Sequence, residues 1–185
     1  MPYQTTWSQE FLTLGEILRQ ALDELALRID HIGSTSVPGL AAKDVIDIQV
    51  TVATLDPAVE QALNGAGYSR LEHLNQDHLP PGSTGPASDW IKWVFMPPAA
   101  QRPTHIHVRL AGRANQRYAL LFRDYLRANP AAAQAYAQVK KALARYHPHD
   151  KDAYYEIKDP VCDLIIDAAE LWAAATQWEV GPTDC

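Results

Sequence analysis

Cysteine, basic residues and long apolar runs are all scarce in this sequence. Cys162 and Cys185 are the only cysteines, which excludes a disulfide-stapled scaffold and favours a reducing compartment such as the cytoplasm. The formal net charge is −6, so a general nucleic-acid binder, which needs a basic surface, is not expected. Residues 1–5 lack the basic start of a signal peptide, and no apolar run approaches the roughly 20 residues of a membrane span. We therefore expect a cytoplasmic protein without membrane-spanning segments.

Strand patterns alternate with helical ones along the first part of the chain. The β-branched run Val45–Val52 is typical of a buried strand, and Asp56-Pro57 marks the start of a helix. Residues 73–88 hold three prolines and two glycines, which predicts an irregular loop. The predicted strands span 27–32, 45–52, 68–71, 90–96 and 105–110.

From Asn115 onward the apolar residues recur at helical spacing. Asn129-Pro130 and Asp150 or Asp152 predict the starts of two further helices, and residues 181–185 are expected to fray. We predict an α+β fold: a mixed β-sheet with flanking helices over residues 1–112, and a helical C-terminal third over residues 113–180 packed on it as one compact unit.

The segment most typical of a functional site is a Gly-Ser turn upstream of a strand that carries an acid. Gly33 lets the backbone approach a ligand closely, and Ser34 offers a hydroxyl and an N–H to a phosphate. Asp47 and Gln49 share one face of the predicted strand, because side chains alternate. A buried Asp47 needs a metal ion or a basic partner. The alternative is an aspartate that caps a loop or pairs with a lysine.

A second polar face lies on the strand that contains His105, His107 and Arg109, which alternate with apolar residues. Such a face can simply be solvated. Two histidines at this spacing can also serve as metal ligands or as a proton-transfer pair.

Two lysines of the helical third, Lys140 and Lys158, lie beside apolar stripes rather than on polar faces. One interpretation is that their stems pack while the ammonium groups reach water. The other is that both groups, together with Arg109 and Arg123, neutralise an anionic ligand such as a polyphosphate between the sheet and the helices.

These segments together resemble the GrpB family. The resemblance rests on the string from His31 to Lys43 (HIGSTSVPGLAAK), on the strand that carries Asp47, and on HIHV and LFRDYLR further along the chain. It extends from about Trp7 to about Ile166. The resemblance implies a minimal nucleotidyltransferase fold with a helical C-terminal extension, a domain that some bacteria carry behind dephospho-coenzyme A kinase. It also adds Lys43 to the candidate phosphate-binding residues.

Two positions depart from the expected patterns. Working nucleotidyltransferases carry a second carboxylate two residues after the first, where this chain has Gln49, and an amide is a poorer ligand for Mg²⁺. Asp44 occupies a position where relatives usually have proline, and we expect it to point away from Asp47. The Asp-x-Asp motif is therefore incomplete.

The leading hypothesis is a metal-dependent nucleotidyltransferase that binds a nucleoside triphosphate and Mg²⁺. Its candidate metal ligands are Asp47, Gln49 and His107, and its candidate catalytic residues are Asp47, His105 and His107. The candidate phosphate-binding residues are Gly33, Ser34, Lys43, Arg109, Arg123, Lys140 and Lys158.

Two alternatives stay open. The first is a non-catalytic module that binds a nucleotide or coenzyme, or assists a protein partner. The second is a hydrolase or phosphotransferase that uses the histidine pair with a bound metal.

Overall fold

A computed structural model describes residues 1–185, and five strands in it form one mixed sheet. In spatial order the strands are β1, β2, β5, β4 and β3. The pairing of β2 with β5 is parallel, and every other neighbouring pair is antiparallel. The strand bounds are Arg28–Ile32 for β1, Ile46–Val52 for β2, Ser69–Arg70 for β3, Lys92–Met96 for β4 and Thr104–Leu110 for β5.

Five α-helices accompany the sheet. Asp56 caps α2 by accepting a hydrogen bond from the backbone N–H of Ala58. Asp150 caps α5 in the same way through the N–H of Ala153, so Asp150 and not Asp152 precedes the last helix. The helix α5 continues past Pro160. The helix bounds are Trp7–Leu22 for α1, Pro57–Gly65 for α2, Ala114–Ala128 for α3, Pro130–Tyr146 for α4 and Lys151–Thr176 for α5.

The two faces of the sheet have different chemistry. The apolar face packs on α1 and α2 and forms the largest core, which includes Trp7, Leu18, Ile48, Val50 and Phe95. The opposite face carries the polar side chains of β2 and β5, and α3 lies against it, where Gln49 donates to the backbone carbonyl of Gln116. The mixed sheet with flanking helices and a helical C-terminal third confirms the predicted fold class.

The C-terminal tail is ordered, and our expectation of fraying was wrong. The backbone N–H of Cys185 donates to the carbonyl of Ile29, and the Asp184 carboxylate accepts from the N–H of His31. Arg28 donates to the carbonyls of Gly181 and Pro182. The tail therefore pairs with the free edge of β1, where unpaired backbone groups need partners.

The loop between β3 and β4 is more tightly held than its composition predicts. The backbone N–H of Asp77 donates to the carbonyl of Trp90, and that of Lys92 donates to the carbonyl of Asn75. The predicted strand at 68–71 is reduced to Ser69–Arg70.

No helix of the structure is both long and apolar enough to cross a membrane.

Candidate functional site

The parallel register of β2 and β5 brings the sequence-predicted acid and histidines together. Asp47 pairs with His105, and Gln49 pairs with His107. The Nδ1 atom of His105 lies 3.1 Å from Oδ1 of Asp47, and Nε2 of His107 lies 3.8 Å from the same oxygen. The candidate ligand atoms of the three residues all lie within 4.8 Å of one another. This trio is a candidate metal centre.

The turn before β2 is built against this centre. Gly33 has φ = 69°, a left-handed conformation that favours glycine. A Cβ atom at this position would stand 2.4 Å from Oδ2 of Asp47. Glycine is therefore required both by the backbone and by the close approach of the turn to the carboxylate.

The charges of the centre follow from its surroundings. Burial alone would raise the pKa of Asp47, but the neighbouring His105 and His107 outweigh it and hold that pKa below its usual range. Burial, more than any other cause, lowers the pKa of His107 to about 4. At neutral pH the site therefore presents a carboxylate beside a neutral imidazole, the protonation states that metal ligands need.

Gln49 belongs to a different network. Its Oε1 atom accepts a hydrogen bond from Nη1 of Arg109 at 2.7 Å, and its Nε2 atom donates to Gln116. Arg109 also donates twice to the carboxylate of Asp77, at 2.8 and 2.9 Å. Both amide atoms of Gln49 are thus engaged, and the guanidinium of Arg109 is neutralised by a carboxylate.

The centre of that network is Asp77, which sequence reasoning missed. Besides Arg109, Asp77 accepts from Nζ of Lys92 at 2.6 Å and from Nδ2 of Asn115 at 3.0 Å. Burial would raise the pKa of Asp77, but Arg109 and Lys92 outweigh it, and the pKa is held far below its usual range. No local signal marks this residue, because its partners lie on β4, β5 and α3.

The structure brings two of the candidate phosphate-binding residues into contact. The Nζ atom of Lys140 donates to Oγ of Ser34 at 2.6 Å and to the carbonyl of Ala41 at 2.8 Å. Burial and the charge of Lys158 lower the pKa of Lys140 to about 8, although Asp47 partly opposes this. The ammonium of Lys140 therefore reaches the Gly-Ser turn beside the candidate metal centre.

Lys43 and Lys158 lie beside tyrosines of α5. The Nζ atom of Lys43 stands 4.7 Å from the ring centre of Tyr154, and that of Lys158 stands 5.6 Å from the ring centre of Tyr155, within the range of cation–π attraction. Lys158 also contacts Asp159 at 3.3 Å. With Ser34 and Lys140 they form a basic patch between the turn and the last two helices.

Arg123 is placed elsewhere. Its guanidinium is buried and donates to Asp124, to Asp184 and to the carbonyl of His31. It therefore holds α3 against β1 and the C-terminal tail, with its charge compensated by two carboxylates.

Asp44 points away from the candidate metal centre, as we expected. Its Oδ1 atom accepts from Nε1 of Trp7 at 2.8 Å, and it pairs with Arg102. It ties the start of β2 to α1.

Comparison with known proteins identifies the family. The sequence profile of the GrpB protein family matches residues 1–168, and the chain belongs to this family. A solved relative is the conserved protein GrpB from Enterococcus faecalis, with a TM-score of 0.75 and 32% identity over 93% of this chain and 98% of that protein.

Similar proteins of known sequence carry two different names. A dephospho-CoA kinase of Mycolicibacterium paratuberculosis is 37% identical over 193 residues, which cover 97% of this chain and 47% of the kinase. A UPF0157 protein of Pseudomonas aeruginosa is 39% identical over 173 residues, which cover 91% of this chain and 66% of that protein. This chain spans about half the length of the kinases that it matches, so the likeness establishes the family and not an activity.

Proposed function

We propose that this chain binds a nucleoside triphosphate, or a similar phosphorylated ligand, and transfers a nucleotidyl group from it with the help of a bound metal ion. The phosphates would lie against Ser34 and Lys140, and the metal would lie against Asp47 and the histidine pair. The observation that carries the proposal is the Lys140–Ser34 contact of 2.6 Å at the turn that touches Asp47.

The basic patch supports an anionic ligand. Lys140 is partly buried, and its hydrogen-bond partners, Ser34 and Ala41, are uncharged. A partly buried ammonium without a hydrogen-bonded carboxylate is costly, and Lys158 adds repulsion. A bound phosphate would relieve both costs, because each oxygen accepts charge-assisted hydrogen bonds. In a chain with net charge −6, this concentration of lysines is a local exception.

The residues of the site suit the requirements of nucleotidyl transfer. In that reaction an acceptor hydroxyl loses its proton to solvent and attacks the α-phosphorus, and the bond from that phosphorus to the oxygen of the leaving pyrophosphate breaks. Positioning and charge neutralisation supply most of the catalysis. Ser34 and Lys140 would orient the phosphates, while Lys43 and Lys158 would compensate the charge of the leaving group. A metal ion, when bound, would supply further charge stabilisation.

The test is ligand-induced stabilisation. Thermal unfolding and calorimetry with ATP, CTP, GTP and UTP, with a divalent metal present, are expected to show binding of at least one nucleotide. Lys140→Met should weaken that binding about tenfold or more, since a charge-assisted hydrogen bond is lost.

The matched control is Lys141→Met. Lys141 is the next residue of α4 and is exposed, so its loss should leave the affinity unchanged. Absence of binding to all four nucleotides, or an equal loss in both variants, would contradict the proposal.

One observation favours a second candidate, a module that binds the phosphorylated ligand without transferring a nucleotidyl group. Gln49, at the position of the second carboxylate, is engaged with Arg109 and with α3. The decisive measurement is release of pyrophosphate in the presence of saturating nucleotide, metal and a panel of hydroxyl acceptors. Tight nucleotide binding without any release would support the module.

A further inference from the structure

The candidate metal centre has an unusual set of donors for its proposed role. Asp47 offers one carboxylate oxygen, and His105 and His107 each offer one ring nitrogen. The distances of 3.1 and 3.8 Å between these atoms are close to the separation of about 3 to 3.4 Å between ligands of a metal bound at about 2.1 Å. Small side-chain rotations would therefore bring all three atoms onto one ion.

The surroundings of the trio do not suit Mg²⁺. This ion prefers oxygen ligands in an octahedral arrangement and is usually held by carboxylates. Only the carboxylate of Asp47 faces the site, because Gln49 accepts from Arg109 and Asp44 is turned towards Trp7 and Arg102. The predicted Mg²⁺ set of Asp47, Gln49 and His107 is therefore not assembled as a set of free donors.

His107 has no other partner in the protein. Its Nε2 atom is 3.8 Å from Asp47, beyond hydrogen-bond distance, and its Nδ1 atom is buried without a hydrogen bond. Buried polar atoms are nearly always satisfied in native structures. A metal ion shared by Nε2 and the carboxylate of Asp47 would give Nε2 the partner that it lacks, while Nδ1 stays without one.

We infer that Asp47, His105 and His107 bind a divalent transition metal of the zinc or cobalt kind in preference to Mg²⁺. Imidazole nitrogen suits these ions better than it suits the hard Mg²⁺. Three protein ligands leave a position open for water or a phosphate oxygen, as in catalytic metal sites. The ion has access, since 40% of the His105 side chain and 28% of the Asp47 side chain remain exposed.

This inference deepens the proposed function and rests on it for the role of the metal, but the metal can be tested alone. Protein freed of metal by a chelator is titrated with Zn²⁺, Co²⁺ and Mg²⁺ in a calorimeter without nucleotide. We expect one Zn²⁺ or Co²⁺ per chain, bound at least about 100-fold more tightly than Mg²⁺. The Co²⁺ complex should show the visible absorption of nitrogen-ligated cobalt.

The variants separate this centre from adventitious binding. His105→Gln and His107→Gln should each weaken Zn²⁺ binding on the order of tenfold or more and change the cobalt spectrum. The matched control is His149→Gln, an exposed histidine in the turn before α5, which should change neither. Thermal unfolding without metal shows that each variant is folded.

Three results would overturn the inference: equal affinity for Mg²⁺, an affinity for Zn²⁺ that the two histidine variants leave unchanged, or an equal effect of His149→Gln. Nucleotide binding that survives such a result would leave the phosphate part of the proposed function standing. Conversely, zinc binding without nucleotide binding would support the metal centre and contradict the proposed function.

Discussion

Two polar clusters lie side by side on one face of the sheet, and they differ in how completely their groups are bonded. In the first, Asp77 accepts hydrogen bonds from Arg109, Lys92 and Asn115. In the second, Asp47 has one hydrogen bond, from His105, and His107 has none. The clusters share β5, where Arg109 follows His107 at the next position on the same face.

This difference distinguishes structural from functional polar groups. A cluster whose charged groups are paired, with Oδ1 of Asn115 left unbonded, stabilises the fold by holding Asp77 and its loop at 73–88 to the sheet. A cluster with unused lone pairs beside a basic patch is free to bind a ligand. The strands β2 and β5 therefore carry both clusters. The position of a residue along its strand decides whether it belongs to the structural cluster or to the candidate binding cluster.

The largest expected effect is the loss of Asp77. Asp77→Ala leaves Arg109 and Lys92 buried without a carboxylate, and we expect the free energy of unfolding to fall by about 3 to 5 kcal/mol. Urea denaturation measures it. The control is Asp89→Ala, which removes an exposed pair with Arg113 and should cost less than about 1 kcal/mol. Similar losses in both variants would show that the Asp77 network does not stabilise the fold as a unit.

A third histidine extends the comparison to the other face of the sheet. His31 is buried, stacks on Phe11, and contacts Thr35 at 3.0 Å. Burial, more than the nearby Arg127, lowers its pKa from 6.5 to about 4.

Between pH 6.5 and 4 the unfolded chain binds a proton at His31 that the folded chain does not bind. Its contribution to stability is therefore complete above pH 6.5 and is lost as the pH falls towards 4, by about 3 kcal/mol. Urea denaturation at pH 7 and pH 4.5 checks this against His31→Gln, whose stability should fall less over the same range. An identical fall in both proteins would count against the prediction.

The smallest expected effect on stability is at Asp47. In Asp47→Asn the amide oxygen can still accept from His105, and 28% of the side chain is exposed, so the free energy of unfolding should fall by only about 1 to 2 kcal/mol. Zinc binding should nevertheless be lost, because a neutral amide replaces the only carboxylate of the centre. A large loss of stability, comparable to that of Asp77→Ala, would place Asp47 among the structural residues instead.

The architecture could be predicted because its signals are local. The β-branched run Val45–Val52 predicted β2, alternation of apolar and polar residues predicted β5, and cap residues predicted the starts of α2, α4 and α5. The resemblance to the GrpB family is confirmed. The candidate site residues stay predictions, although the structure brings Asp47, His105 and His107 together, and Ser34 to Lys140.

The Asp77 network and the ordered tail could not be predicted for the same physical reason. Asp77 meets Arg109 across 32 positions of the chain and Asn115 across 38. The backbone of Cys185 reaches Ile29 from the far end of the sequence. Such contacts form between buried charges and backbone groups that need partners in the folded chain. The spacing of apolar and polar residues along the sequence does not predict them.

The sequence by itself determined two facts about the strands. Asp47 and Gln49 lie on one face of their strand, and His105, His107 and Arg109 lie on one face of theirs, because side chains alternate along a strand. Only the tertiary structure decided which of them work together. The parallel register places Asp47 beside His105. The buried guanidinium of Arg109 needs hydrogen-bond acceptors, and Gln49 and Asp77 supply them. A buried charge pairs with the polar groups that lie next to it in the folded chain. For this reason Gln49 and Arg109 belong to the Asp77 network, and Asp47, His105 and His107 form the candidate metal centre.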